Sequence, residues 1–110
     1  MSEKPNEGIR EGLGRLDKLL EHRTRLGICV LLARNDSLSF SRLKDLLQET
    51  DGSLGAHLRK LEDTGYLAVD KQFKDRKPVS WYSLTTPGRN ALTSHLSALQ
   101  QLIQQGNAGG

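Results

Sequence analysis

The stretch Thr50–Trp81, TDGSLGAHLRKLEDTGYLAVDKQFKDRKPVSW, changes its hydrophobic period in mid-course, and few folds accommodate that change. In its first half, Leu54, Leu58 and Leu61 fall at i, i+4 and i+7 and share one face of a helix spanning about 53–64. The opposite face carries Ser53, Ala56, Arg59, Lys60 and Asp63, flanked by Gly55 and His57. Thr50 or Asp51 can cap the start, because a side-chain oxygen there reaches free backbone N–H groups. Gly65 can take the left-handed conformation that ends a helix. From Leu67 the period becomes two: Leu67, Val69, Lys71 and Phe73 alternate with Ala68, Asp70 and Gln72. KDRKP is a polar reversal, and Val79–Leu84 reads as the returning strand, so a hairpin spans about 66–85.

A helix followed at once by a basic-tipped hairpin is the layout of a winged helix. SLGAHLRKLEDTGYLAVDKQF followed by PVSWYSLTTPGRNAL resembles the core of small winged helix-turn-helix transcriptional regulators of the MarR/ArsR type. The resemblance runs over roughly 23–102, and its most specific parts are HLRKLEDTGYL and WYSLTTPGR. It implies an α+β, mainly helical fold, with five helices and a small antiparallel β-wing. It also implies sequence-specific binding of double-stranded DNA in transcriptional regulation, with repression the expected sense. The helix at about 53–64 would read the major groove and the wing would hold the backbone.

The residues support that reading independently. Ser53, Gly55 and Ala56 are slim where a helix would meet the bases of a groove about 12 Å wide. Arg59 and Lys60 are long enough for phosphates or guanine edges, and Arg42 lies near the start of the preceding helix. His57 suits a DNA contact and a hydrogen bond inside the domain equally well. In the hairpin, Lys71, Lys74, Arg76 and Lys77 stand against Asp75 alone, which is +3, the whole formal excess of the chain. A basic projection of this kind is what a phosphate contact needs, although hairpin tips carry Lys and Arg for solubility as well.

The rest of the chain frames this unit. Ile9, Leu13, Leu16 and Leu20 recur in steps of four, three and four, a narrow helical stripe over about 9–21. Leu92, Leu96, Leu99 and Ile103 repeat the spacing in a last helix over about 86–103, which Thr85 or Thr86 caps and Pro87 opens. In the family such outer helices form the interface of a homodimer, and the two stripes are assigned that role here. The glycines at 8, 12 and 14 weaken the first helix, each by up to about 1 kcal/mol relative to alanine. LGICVLLA, Leu26–Ala33, is apolar on nearly all sides and reads as the central buried helix. Leu38–Phe40 is a short strand candidate. Ser39 or Ser41 caps a helix with Leu43, Leu46 and Leu47 inward. Residues 1–8 and 105–110 read as mobile tails of a single domain.

Composition closes off other classes. At 110 residues and 35% hydrophobic content, a monomer buries a thin core, and dimerisation would add to it. No apolar run approaches the roughly 20 residues that span a membrane. A single cysteine, Cys29, forms no internal disulfide and fits a reducing cytoplasm. With His22, His57 and His95 on different elements, no metal site is expected, in departure from metal-sensing relatives. No catalytic motif or cofactor fingerprint is present, so the chain reads as a non-enzyme without a cofactor. The residues leave open whether a small-molecule effector is sensed. Two other functions share this fold: a protein-interaction module within a larger assembly, marked by an apolar wing and second helix, and an RNA binder. The latter needs exposed aromatic platforms, whereas Phe40, Tyr66, Phe73, Trp81 and Tyr82 mostly read as core or hairpin packing.

Overall fold

The computed structural model describes residues 3–108. Five α-helices and a three-stranded antiparallel sheet follow one another: α1 (Glu3–Gly14), α2 (Arg23–Arg34), β1 (Leu38–Ser39), α3 (Phe40–Leu47), α4 (Asp51–Asp63), β2 (Leu67–Lys74), β3 (Lys77–Leu84) and α5 (Thr86–Ala108). A 3-10 turn, Lys18–Glu21, separates α1 from α2. The sheet order is β1-β3-β2. Trp81, in the central strand, faces Ser39 on one side and Asp70 on the other.

The helix-to-strand switch forms where the sequence places it, with α4 beginning two residues earlier. Thr50 is the N-cap, and its Oγ1 accepts the Ser53 N–H at 3.2 Å. Leu54, Leu58 and Leu61 are buried. At the other end, Gly65 has φ +88°. The Tyr66 N–H reaches the Leu61 carbonyl and the Gly65 N–H the Glu62 carbonyl, both at 2.9 Å. This pair of bonds satisfies carbonyls the helix end leaves free, and glycine takes that backbone angle without a Cβ penalty.

The core gathers Leu20, Ile28, Cys29, Leu32, Leu43, Leu54, Leu58, Leu61, Leu67 and Leu92. Burial of such a leucine contributes about 1.5–3 kcal/mol. Cys29 is fully inside, and burial pushes its thiol up to about 12. α2 is the central helix expected, and within its apolar run Leu26–Ala33 the one exposed position is Val30. In α3, Leu43 points inward, but Leu46 is 42% exposed rather than inward-facing, because α3 is only eight residues long and is covered on one side.

The N-terminal stripe departs from expectation. It does not lie on one helix over 9–21: α1 runs from Glu3 to Gly14, and the chain then turns. Asp17 causes the turn. Its Oδ1 accepts the Leu19 N–H at 2.9 Å, capping the 3-10 segment. Leu20 is consequently in the core, as is Leu92, and neither is free for a partner. Gly8 and Gly12, but not Gly14, face α5. A Cβ on Gly12 would sit 2.9 Å from Leu102 Cδ2, so α1 and α5 approach closely there. Of the end segments expected to be mobile, residues 3–8 and 105–108 are helix ends, and 1–2 and 109–110 lie outside the described residues.

The α1–α5 pair projects as an arm. The molecule measures 66 × 25 × 21 Å, with a radius of gyration of 17.0 Å against about 13 Å for a compact chain of this length. On the arm, Ile9, Leu13, Leu96 and Ile103 are exposed, while Leu16 and Leu99 are half-buried. Arg15 and Gln101 hydrogen-bond across it.

Candidate nucleic-acid interface

Three elements carry the sequence-predicted DNA contacts: α3, α4 and the β2–β3 wing. The turn between α3 and α4 is set by Gln48 in the left-handed conformation, φ 56°. An ion pair, Lys44 Nζ to Asp51 Oδ1 at 2.8 Å, spans that turn.

On α4, Ala56, Arg59 and Lys60 are exposed on the outward face, while Ser53 and Gly55 are half-buried. A Cβ built on Gly55 meets nothing within 4 Å. Packing within the chain therefore gives no reason for glycine at this position, where it costs about 1 kcal/mol relative to alanine in a helix.

His57 takes the internal option. Its Nδ1 lies 3.0 Å from Arg25 Nη1, and its ring packs against His22 with centroids 4.2 Å apart and planes tilted by 41°. The guanidinium only donates, so Nδ1 accepts and His57 is neutral. Burial first, then the His22 and Arg25 charges, lower its pKa. Arg25 also donates to the Leu19 carbonyl at 2.7 Å. Beside this cluster, Thr24 Oγ1 donates to Glu49 Oε1 at 2.6 Å. Hydrogen bonds from Thr24 and Ser53 hold the Glu49 carboxyl below its ordinary range. His57 thus fastens α4 to α2 directly and Ser53 does so through Glu49, so that Ala56, Arg59 and Lys60 are the members of the sequence-predicted α4 set that stand exposed. This network escaped the sequence reading because its partners are 25 and 32 positions apart.

The wing is a two-residue hairpin. Asp75 and Arg76 have φ +52° and +66°, the paired positive values of a type I′ turn. Lys74 and Lys77 are direct cross-strand partners. Like charges placed so are destabilising without an anion between them. Lys71, Lys74, Arg76 and Lys77 are all exposed. Lys71 and Phe73 share the face that nearer the helices carries Leu67 and Val69, while Lys74 lies on the other. Phe73 has no packing role: it is 81% exposed. Phe40, Tyr66 and Tyr82 pack on the core. The signal for Phe73 was available in strand length, since an eight-residue strand outruns the helices that cover its first positions.

Arg42 is exposed at the start of α3, beside a surface cavity of about 340 Å³ shared with Leu31, Arg34, Asn35, Leu38 and Leu46. Among the described residues, no group of three or more His, Cys, Asp or Glu is placed to hold a metal ion.

A helix-turn-helix whose second helix presents a small-residue face, followed by a basic antiparallel hairpin, defines a winged helix-turn-helix protein. Residues 24–103 match the winged helix DNA-binding domain, and the chain belongs to that family. The uncharacterized protein MJ0432 of Methanocaldococcus jannaschii is 31% identical over 85 residues, 77% of this chain and 92% of its own length. The solved structure of a transcriptional regulator homologue from Pyrococcus horikoshii OT3 superposes with a TM-score of 0.78 at 30% identity, covering 89% of this chain and 95% of that one. Wild-type MarR from Escherichia coli, in its apo form, shares the fold with a TM-score of 0.67 at 22% identity, covering 94% and 75%. The chain thus has the winged-helix architecture of the MarR-type transcriptional regulators.

Proposed function

We propose that this chain is a homodimeric, sequence-specific regulator of transcription, acting on double-stranded DNA in the cytoplasm as a repressor and catalysing no reaction. The observation that carries the reading is the wing tip, where Lys74 opposes Lys77 with Arg76 at the turn. These three cations, offset only by Asp75 in the turn, leave the narrow tip with a net positive charge that a polyanion would neutralise. α4 then enters the major groove by its slim face, with Arg59 or Lys60 meeting a guanine edge. The four exposed apolar side chains of the arm, Ile9, Leu13, Leu96 and Ile103, bring two copies together. A two-fold dimer presents two α4 helices to half-sites about one helical turn apart, or a multiple of it. Most affinity comes from phosphate neutralisation, and specificity from a few base edges.

The test is recovery of bound duplexes from a random DNA pool by the unmodified protein and by the Arg59→Ala and Lys60→Ala variants. The reading expects a two-fold-related motif. It also expects preference to relax at one base position per half-site in a variant, by about five- to a hundredfold. A parent protein that recovers no preferred site, with both residues dispensable, returns the chain to the class of protein-interaction modules.

A further inference from the structure

Phe73 is the most exposed of the large hydrophobic side chains among the described residues, at 81%, ahead of Ile103 at 63% and Leu13 at 55%. The latter two lie on the arm, where a second copy of the chain accounts for them. Phe73 lies at the far end of the molecule's only hairpin among those residues, one position before the turn. Its cross-strand partner is Pro78, also exposed. Proline has no N–H to give the ladder and its φ is fixed, so the backbone behind the ring is stiff. Lys71 lies two residues back from Phe73 on the same strand face, while Lys74 and Lys77 pair on the other face and Arg76 shares the turn with Asp75. A docking patch for a protein would extend over several apolar side chains. Here a single aromatic side chain stands on a hairpin whose tip is net basic.

We propose that Phe73 is an apolar wedge that enters the minor groove of duplex DNA and partly unstacks a base step beside each half-site. The inference rests on the reading that the wing meets DNA. The minor groove is about 6 Å wide, so the turn and the ring enter it and the rest of the ribbon stays outside. Four cations counter the strongly negative potential of that groove, and an inserted aromatic ring exchanges water for base faces. Apolar wedges of this kind kink the duplex by about 20–90° toward the major groove. Pyrimidine–purine steps unstack most readily, so the wing adds a preference for TA or CA/TG steps outside the bases read by α4.

The experiment uses the full chain and a duplex that it recovers from a random pool, with 2-aminopurine replacing adenine at successive positions outside the half-sites. On binding, emission should rise at one position per half-site, where the base loses its stacking partner. Phe73→Ala should abolish the rise and the bend, weaken binding by about tenfold, and leave the half-site motif unchanged. Phe73→Leu should retain part of both. Because the side chain is exposed, neither variant threatens the fold. If no position brightens, or if Phe73→Ala bends and brightens the duplex as the parent does, the wedge is refuted while DNA binding stands. If the parent protein recovers no duplex, the DNA-binding reading and the wedge fall together.

Discussion

The Tyr66 hydroxyl donates to Asp17 Oδ2 at 2.5 Å, across 49 positions of the chain. The same aspartate takes the Leu19 N–H on its other oxygen, and its own backbone N–H donates to Nδ1 of the buried His95 at 2.9 Å. One residue therefore joins the loop ahead of the wing, the 3-10 turn and the long C-terminal helix. Tyr66→Phe removes a hydrogen bond to a charged group, and a loss of about 1.5–3 kcal/mol is expected. The urea midpoint measures it. The Asp17 hydrogen bond, with burial, lifts the Tyr66 hydroxyl to about 12. The folded state thus holds this proton more tightly. The associated stability is complete below pH 10 and is lost as pH rises toward 12, and Tyr66→Phe should flatten that alkaline decline.

Acid should act on the other side of the domain. The His57 pKa is lowered from 6.5 by burial and by His22 and Arg25, against an opposing pull from Glu49. The unfolded chain therefore binds the proton more readily. Stability is complete above about pH 6.5 and falls as pH drops through the folded value. Protonation at Nδ1 also breaks the bond from Arg25. Glu49, lowered from 4.5, adds a second decline at lower pH by the same sign. Melting temperature followed from about pH 8 to about pH 5 should drop in the parent protein and drop less in His57→Gln. Equal slopes in the two would count against the assignment.

Charge removal at the wing has a different signature. Lys74→Ala, Arg76→Ala and Lys77→Ala together should weaken binding to all duplexes alike. The slope of log affinity against log salt should flatten by about 0.9 for each phosphate that is no longer neutralised. A shift assay at several salt concentrations decides the matter, and an unchanged slope would show that the hairpin does not touch the backbone.

For the arm, Leu96→Asp with Ile103→Asp changes two side chains that are exposed in the single chain. The variant should stay folded and scatter light as a 12.2 kDa monomer, whereas the parent is expected at twice that mass. Leu20→Ala or Leu92→Ala should do the reverse. Each opens a cavity in the core, lowers stability by about 2–5 kcal/mol, and leaves the arm surface intact. A parent protein of monomer mass at micromolar concentration would refute the dimer.

What could be read in the sequence was local. The α4 face, its cap at Thr50, the left-handed Gly65 and the strands that follow are written within about thirty residues by periodicity and turn chemistry. The course of the N-terminus was not legible in that way. Ile9, Leu13, Leu16 and Leu20 have the spacing of one helix, yet Asp17 interrupts them, and two of its bonds go to residues 49 and 78 positions away. His57 lay open between two roles for the same reason, since Arg25 decides between them from 32 positions off. Phe73 fits the inward register of its strand. The strand's length is the one sequence signal that it passes beyond the helical cover, and the fold shows where that cover ends.

Trp81 is the one tryptophan of the chain, and it sits half-buried in the middle strand of the sheet, between Ser39 and Asp70. The molecule therefore carries a built-in optical gauge. Its indole emission originates in the winged body and not in the α1–α5 arm. Loss of the sheet should redden that emission, whereas separation of two copies at the arm should leave its colour unchanged. The two ends of the molecule can thus be followed independently, without any added dye.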